Sequence, residues 1–187
     1  ILKLHDIKNI GDFKSNFYRR LAFDEILASF LISSEIRKKI KKIKKKSKNF
    51  SEILFNKIVN KLNFNLTNDQ LNALEDINND MRSKTKMFRL IQGDVGSGKT
   101  IVALITALNA IESGYQVAFM APTEILAKQH FNLTKNLFPN NINIQILTGK
   151  SDYFTKKKVN ELVSTNICNI VFGTHSLFQK KINFKKL

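Results

Sequence analysis

The 187-residue chain is 43% hydrophobic, carries 31 Lys and Arg against 15 Asp and Glu, and has a formal net charge of +16 with a pI near 10.0. This length supports one good core, with or without a helical appendage, and the apolar content excludes a disordered chain. One cysteine, Cys168, excludes an internal disulfide, no Cys/His cluster has metal-ligand spacing, and no apolar run is long enough to span a bilayer, so a cytoplasmic protein with no membrane partner is expected.

The charge favours an anionic partner, nucleic acid ahead of a membrane surface, although a Lys-, Asn- and Ile-rich composition also raises charge without any partner. Residues 1–50 hold 14 Lys and Arg with 5 Asp and Glu, which is +9 of the total. The chain opens on Ile1 without an initiator methionine, as a fragment would, and Ile1 to Asp6 lead into no apolar segment of the secretory kind.

From Phe17 to Lys48 the pattern predicts one long helix. Phe23, Ile26, Leu27, Phe30 and Leu31 recur at three- and four-residue spacing, and Ile36, Ile40 and Ile43 extend the stripe less regularly. Nine basic residues and no acidic one lie between Arg37 and Lys48, which suits either a solvated helix end or a phosphate-contacting one. Ser51 is placed to cap a helix carrying Leu54, Ile58 and Leu62. We expect a helical linker segment over 1–62 and a second, larger region over 63–187.

Thr67 and Gln70 form a capping box, so a helix starts there with Leu71, Leu74, Ile77 and Met81 on its buried face. The Gln70 amide carries both a donor and an acceptor, which also suits pairing with the edge of an adenine, and spacing leaves both roles open.

Phe88 to Gln92 reads as a short buried strand, and Ile101 to Ile111 as a helix. Between them Gly93-Asp94-Val95-Gly96-Ser97-Gly98-Lys99-Thr100 fits the phosphate-binding pattern G-x-x-x-x-G-K-[ST] at every required position. A loop that wraps a polyphosphate must turn backbone N–H groups inward, and glycine tolerates the angles this needs. Lys99 would reach the β- and γ-phosphates, and the Thr100 hydroxyl would ligate Mg²⁺. A polyphosphate with Mg²⁺ is therefore expected here, with Lys99 and Thr100 the expected catalytic pair.

Gly114 ends that helix. Gln116 to Ala121 reads as a buried parallel-type strand, Thr123 caps a helix carrying Ile125, Leu126, His130, Leu133 and Leu137, and Pro139 stops it. Ile142 to Leu147 and Ile167 to Phe172 are further strands, with a helix from Tyr153 to Val163 between them. Strands alternating with helices give a parallel sheet whose ligands gather at the carboxyl ends of the strands. Pro122-Thr123-Glu124, Thr148-Gly149 and Gly173-Thr174-His175 all fall at that edge.

On these residues the chain resembles the RecG-type ATP-dependent DNA helicases of superfamily 2. Arg89 to Thr100 (RLIQGDVGSGKT) resembles helicase motif I, Met120 to His130 (MAPTEILAKQH) motif Ia, Gly173-Thr174-His175 motif Ib, and Phe64 to Gln70 the adenine-recognising Q motif. Arg19-Arg20-Leu21-Ala22-Phe23 is similar to the segment that joins the wedge domain to the motor.

The resemblance implies an α/β fold, an incomplete RecA-like P-loop NTPase lobe with a parallel sheet, preceded by the helical linker. It implies ATP with Mg²⁺ as the cofactors, and a monomeric motor acting on forked or branched DNA in repair and recombination. Thr123 and Thr174 would be the chief DNA-backbone contacts, with Glu124, Thr148, Gly149 and His175 beside them. The acidic Walker B element would follow Leu187, so this chain alone is expected to hydrolyse ATP poorly. A transcription-repair coupling translocase and a non-enzymatic nucleic-acid-binding module remain the alternatives.

Overall fold

The computed structural model describes residues 16–42, 45–51, 53–178 and 182–187. These residues fall into two compact units, one of residues up to Lys45 with Lys84–Phe88, the other of Lys46–Ser83 with Arg89–Leu187.

The first unit is dominated by α1 (Asn16–Lys42). Its stripe is exposed, with Phe23 at 56%, Ile26 at 69% and Phe30 at 69% of full accessibility. The Ile40 and Ile43 side chains lie outside the described residues. The helix expected to run to Lys48 is shorter, because like charges three and four residues apart oppose helix growth. Beyond it the backbone finds other partners: the Lys45 N–H donates to the Lys84 carbonyl at 2.8 Å, and that of Lys48 to the Met81 carbonyl at 3.1 Å.

The second unit contains α2 (Ile53–Val59), α3 (Asn68–Arg82), α4 (Lys99–Glu112), β1 (Val117–Met120), α5 (Glu124–Leu137), β2 (Ile144–Leu147), α6 (Tyr153–Ser164), β3 (Ile170–Gly173) and a 3₁₀ turn, His175–Phe178. The three strands are parallel in the order β1-β3-β2, with Ile170 of β3 opposite both Val117 and Ile144. Strand alternation then divides the core in two. Val117, Phe119, Ile144, Ile146, Ile170 and Phe172 meet α2, α3 and α4 through Ile58, Leu74, Ile77, Leu104 and Leu108, whereas Ala118, Leu147 and Val171 meet Val159 and Val163 of α6. Both faces are covered, as a parallel sheet requires.

The Ser51 hydroxyl donates to Glu112 Oε1, and the capping expected of it falls at residue 52, outside the described residues. One expectation for this unit is corrected. Phe88 to Gln92 is not a strand: β1, β2 and β3 pair only with one another, so this segment has no ladder among the described residues, and Phe88 and Leu90 are 69% and 82% exposed. An apolar pentapeptide becomes a strand only when a neighbour supplies its hydrogen bonds. Ile91 nevertheless packs against the core, and Arg89 ties the segment to α3 through Asp76 at 2.9 Å and Asp80 at 2.8 Å. The hydrogen bond to Asp80, with a second to Asp76, raises the guanidinium pKa further.

Candidate functional site

The loop from Gly93 to Thr100 is held by glycine geometry and one outside side chain. Gly96 and Gly98 have φ of 84° and 78°, the left-handed region that L side chains rarely adopt. Gly98 is also the N-cap of α4; its carbonyl accepts from the Ile101 N–H at 3.0 Å, so the Lys99 and Thr100 amides precede the first intrahelical bond and point out of the helix end. Lys99 folds back over the loop, its ammonium donating to the carbonyls of Gly93 at 2.8 Å and of Asp94, and to Ser97 Oγ at 3.3 Å. Val95 stands fully exposed at the tip.

The outside side chain is Gln70. It completes the expected capping box of α3, accepting from the Thr67 N–H at 2.9 Å while its own N–H donates to Thr67 Oγ1 at 3.3 Å. Its Nε2 also donates to the Ser97 carbonyl at 3.0 Å, inside the phosphate-binding loop. A Cβ on Gly98 would lie 2.3 Å from that nitrogen, so Gly98 is required for contact as well as for backbone angle. The amide that completes the capping box thus also touches the phosphate-binding loop, a contact the sequence did not announce.

The residues fit a bound nucleotide. Three glycines, a helix N-terminus, the Lys99 ammonium and the Thr100 hydroxyl fall within one loop and the first helical turn after it, a set rich in donors and suited to phosphate oxygens. Among the described residues, no group of three or more His, Cys, Asp and Glu could hold a metal ion; the Thr100 hydroxyl is of the oxygen-donor kind that would suit a phosphate-bound Mg²⁺.

The remaining expected residues lie at the carboxyl end of the sheet. Thr123 caps α5, its Oγ1 accepting from the Leu126 N–H at 3.3 Å, which leaves the hydroxyl proton free to donate outward. Glu124 Oε1 accepts from the Lys150 N–H at 3.1 Å, so it ties the loop after β1 to the loop after β2. Lys156 Nζ donates to the Gly149 carbonyl at 3.2 Å in that same turn. Thr148 is buried, and its N–H donates to Ser151 Oγ. Gly173 ends β3 where a Cβ would lie 2.2 Å from the Leu147 carbonyl, Thr174 is half-buried, and His175 is exposed at the start of the 3₁₀ turn.

Arg89 and Gln116 were not singled out by sequence reasoning, and Glu124 was expected only as a rim residue beside DNA, not as a bridge between loops. Arg89 anchors the segment entering the loop. Glu124 bridges two loops. Gln116 is buried, and its amide makes four hydrogen bonds: Nε2 donates to the carbonyls of Val163 and Cys168, and Oε1 accepts from the N–H groups of Lys185 and Lys186. An uncharged polar residue opening an apolar strand was the available signal for Gln116. The other two contacts join residues distant in sequence, and no local pattern announces them.

Cys168 lies buried beside the Ile170 carbonyl, and burial pushes its thiol up to about 11, so it is a protonated core residue at neutral pH. Burial lowers the pKa of His130, whose ring stands 5.3 Å from that of Phe119.

RecG of Aquifex aeolicus, an ATP-dependent DNA helicase, is 39% identical over the whole of this chain and 24% of its own length. The same protein of Borreliella burgdorferi is 44% identical over 76% of this chain and 21% of its own length. A solved structure of RecG bound to a three-way DNA junction matches with a TM-score of 0.80 at 39% identity, covering 90% of this chain and 23% of that one. The chain therefore spans about a quarter of the length of these relatives, and its α/β architecture is that of a RecA-like helicase lobe. Among the described residues no helix is long and apolar enough to cross a membrane. The family description DEAD/DEAH box helicase matches residues 67–187, from the capping threonine through the phosphate loop and the whole sheet, and the chain belongs to that family.

Proposed function

We propose that this chain forms the nucleotide-gripping part of the first motor lobe of a RecG-like ATP-dependent DNA helicase. It binds ATP·Mg²⁺ at Gly93–Thr100 and the backbone of one DNA strand at the rim of the sheet. In the longer protein, that lobe serves the remodelling of forked and branched DNA. The linker role expected for 1–62 belongs to the same proposal, although α2 shares the core with α3 and α4.

The observation that carries the reading is the double engagement of Gln70. An amide has two donor hydrogens and two acceptor lone pairs. Gln70 uses one donor on Ser97 and one lone pair on the Thr67 N–H. One donor and one acceptor remain, the pair that a bidentate contact with an adenine edge requires. The same residue therefore reads the base and touches the loop that wraps the phosphates.

At the rim, Thr123 and Thr174 donate to DNA phosphates, with the amides at the start of α5 beside them. Such contacts carry no base information, which suits a motor that must pass over any sequence. Bound ATP·Mg²⁺ supplies the phosphoryl group whose hydrolysis drives movement. The residues of this chain bind and orient it: Lys99 by charge, the loop amides by direction, and Gln70 by base identity.

The test compares ATP and GTP affinity in the full-length protein carrying Gln70→Ala. Adenine preference falls about 10-fold for the loss of one uncharged hydrogen-bonded contact. Unchanged preference accompanied by a lower melting temperature would reduce Gln70 to a helix cap.

A further inference from the structure

Helices α2, α3 and α4, with Phe50 and Ser51 ahead of α2, line a half-open cavity of about 310 Å³ whose lining includes no residue of the phosphate loop. This is room for a single substituted ring. One wall is apolar, from Phe50, Phe55, Leu71 and Leu74, and the other is polar, from Glu75, Asn78 and Asn109.

The polar wall has an unmet need. Asn109 is 2% exposed; its Nδ2 donates to Asn78 Oδ1 at 2.9 Å, and its Oδ1 has no partner. One turn further along α4, Glu112 Oε1 accepts from Ser51, itself a lining residue, while Glu112 Oε2 is buried without a partner. Buried acceptors left bare are costly, because they have lost water and gained no donor. The carboxylates of Glu75 and Glu112 accept whichever way the Asn78–Asn109 amide pair is turned. The lining cation, Arg82, has its guanidinium 4.8 Å from the centre of the Phe50 ring.

We propose that this cavity is a binding site for a small free aryl amidine or guanidine. The aromatic body lies against Phe50, Phe55, Leu71 and Leu74, and the planar cation donates its N–H groups to Asn109 Oδ1 and the lining carboxylate of Glu75. A flat cation with several donors on one edge answers the bare amide oxygen and the carboxylate together, whereas a neutral amide offers fewer donors and an anion offers none. The site does not rest on the nucleotide reading, since neither the phosphate loop nor Gln70 takes part in it.

Benzamidine, with benzamide and benzoate as isosteric controls, tests the assignment by ligand-observed saturation-transfer NMR on the full-length protein. Saturation passes to benzamidine, benzamide binds at least about 10-fold more weakly for want of the charge-assisted bonds, and benzoate stays silent. Asn109→Leu removes the signal. Leu71→Trp, which fills the cavity from a position already 43% exposed, removes it without disturbing the core. Absent transfer to benzamidine, equal binding of either control, or an unchanged signal in Leu71→Trp would overturn the proposal.

Discussion

The phosphate loop and the rim of the sheet are built on opposite plans. The loop owes its shape to backbone: two residues in the left-handed region, a helix end, and one amide reaching in from α3. The rim owes its shape to packing, because Thr123, Gly149 and Thr174 stand where they do only while β1, β2 and β3 stay in register beneath them. Damage to the loop should therefore change what the protein binds and leave its stability nearly untouched, and damage beneath the rim should do the reverse.

The largest expected effect is on the packing side. Phe172 is fully buried in the central strand, with its ring 5.0 Å from Phe119 and 6.3 Å from Phe131. Phe172→Ala should cost about 3–5 kcal/mol of unfolding free energy in denaturant titrations. The nucleotide affinity of the molecules that remain folded should be close to that of the parent.

Lys99→Ala is the mirror experiment. Losing a charged donor to phosphate should weaken ATP·Mg²⁺ binding by about 2–3 kcal/mol, measured by calorimetry. The melting temperature should barely move, because the Lys99 partners in the loop are the carbonyls of Gly93 and Asp94 and the Ser97 hydroxyl, none of them in the core. A large loss of stability would erase the contrast between the two regions.

Thr123→Ala probes the boundary. It removes the cap of α5 and should cost about 1 kcal/mol of stability, the smallest effect of the three. It should also weaken DNA binding at low salt, and Thr123→Ser should restore both. Recovery of stability by serine without recovery of DNA binding would confine Thr123 to the cap.

The same contrast explains what could be read from the residues alone. The loop was legible because its pattern is local: three glycines, a lysine and a threonine within eight positions. The parallel sheet was legible through alternating strands and helices, and the capping box through Thr67 and Gln70. The segment 88–92 was misread because its composition is that of a strand while its conformation depends on a neighbour. The helix end near Lys42 was misread because periodicity ignores charge repulsion and competing backbone partners. Arg89 with Asp76 and Asp80, Glu124 with Lys150, and the paired Asn78 and Asn109 escaped notice because each contact joins separate elements.

The central claim is that Gly93–Thr100, with Gln70, holds the nucleotide. A crystal structure of the full-length protein with a non-hydrolysable ATP analogue and Mg²⁺ tests it directly. The account predicts Lys99 Nζ withdrawn from the Gly93 and Asp94 carbonyls and bonded to phosphate oxygens, with the adenine edge against the Gln70 amide. An analogue bound elsewhere, or Lys99 still folded onto those carbonyls with the phosphates beyond its reach, would contradict it.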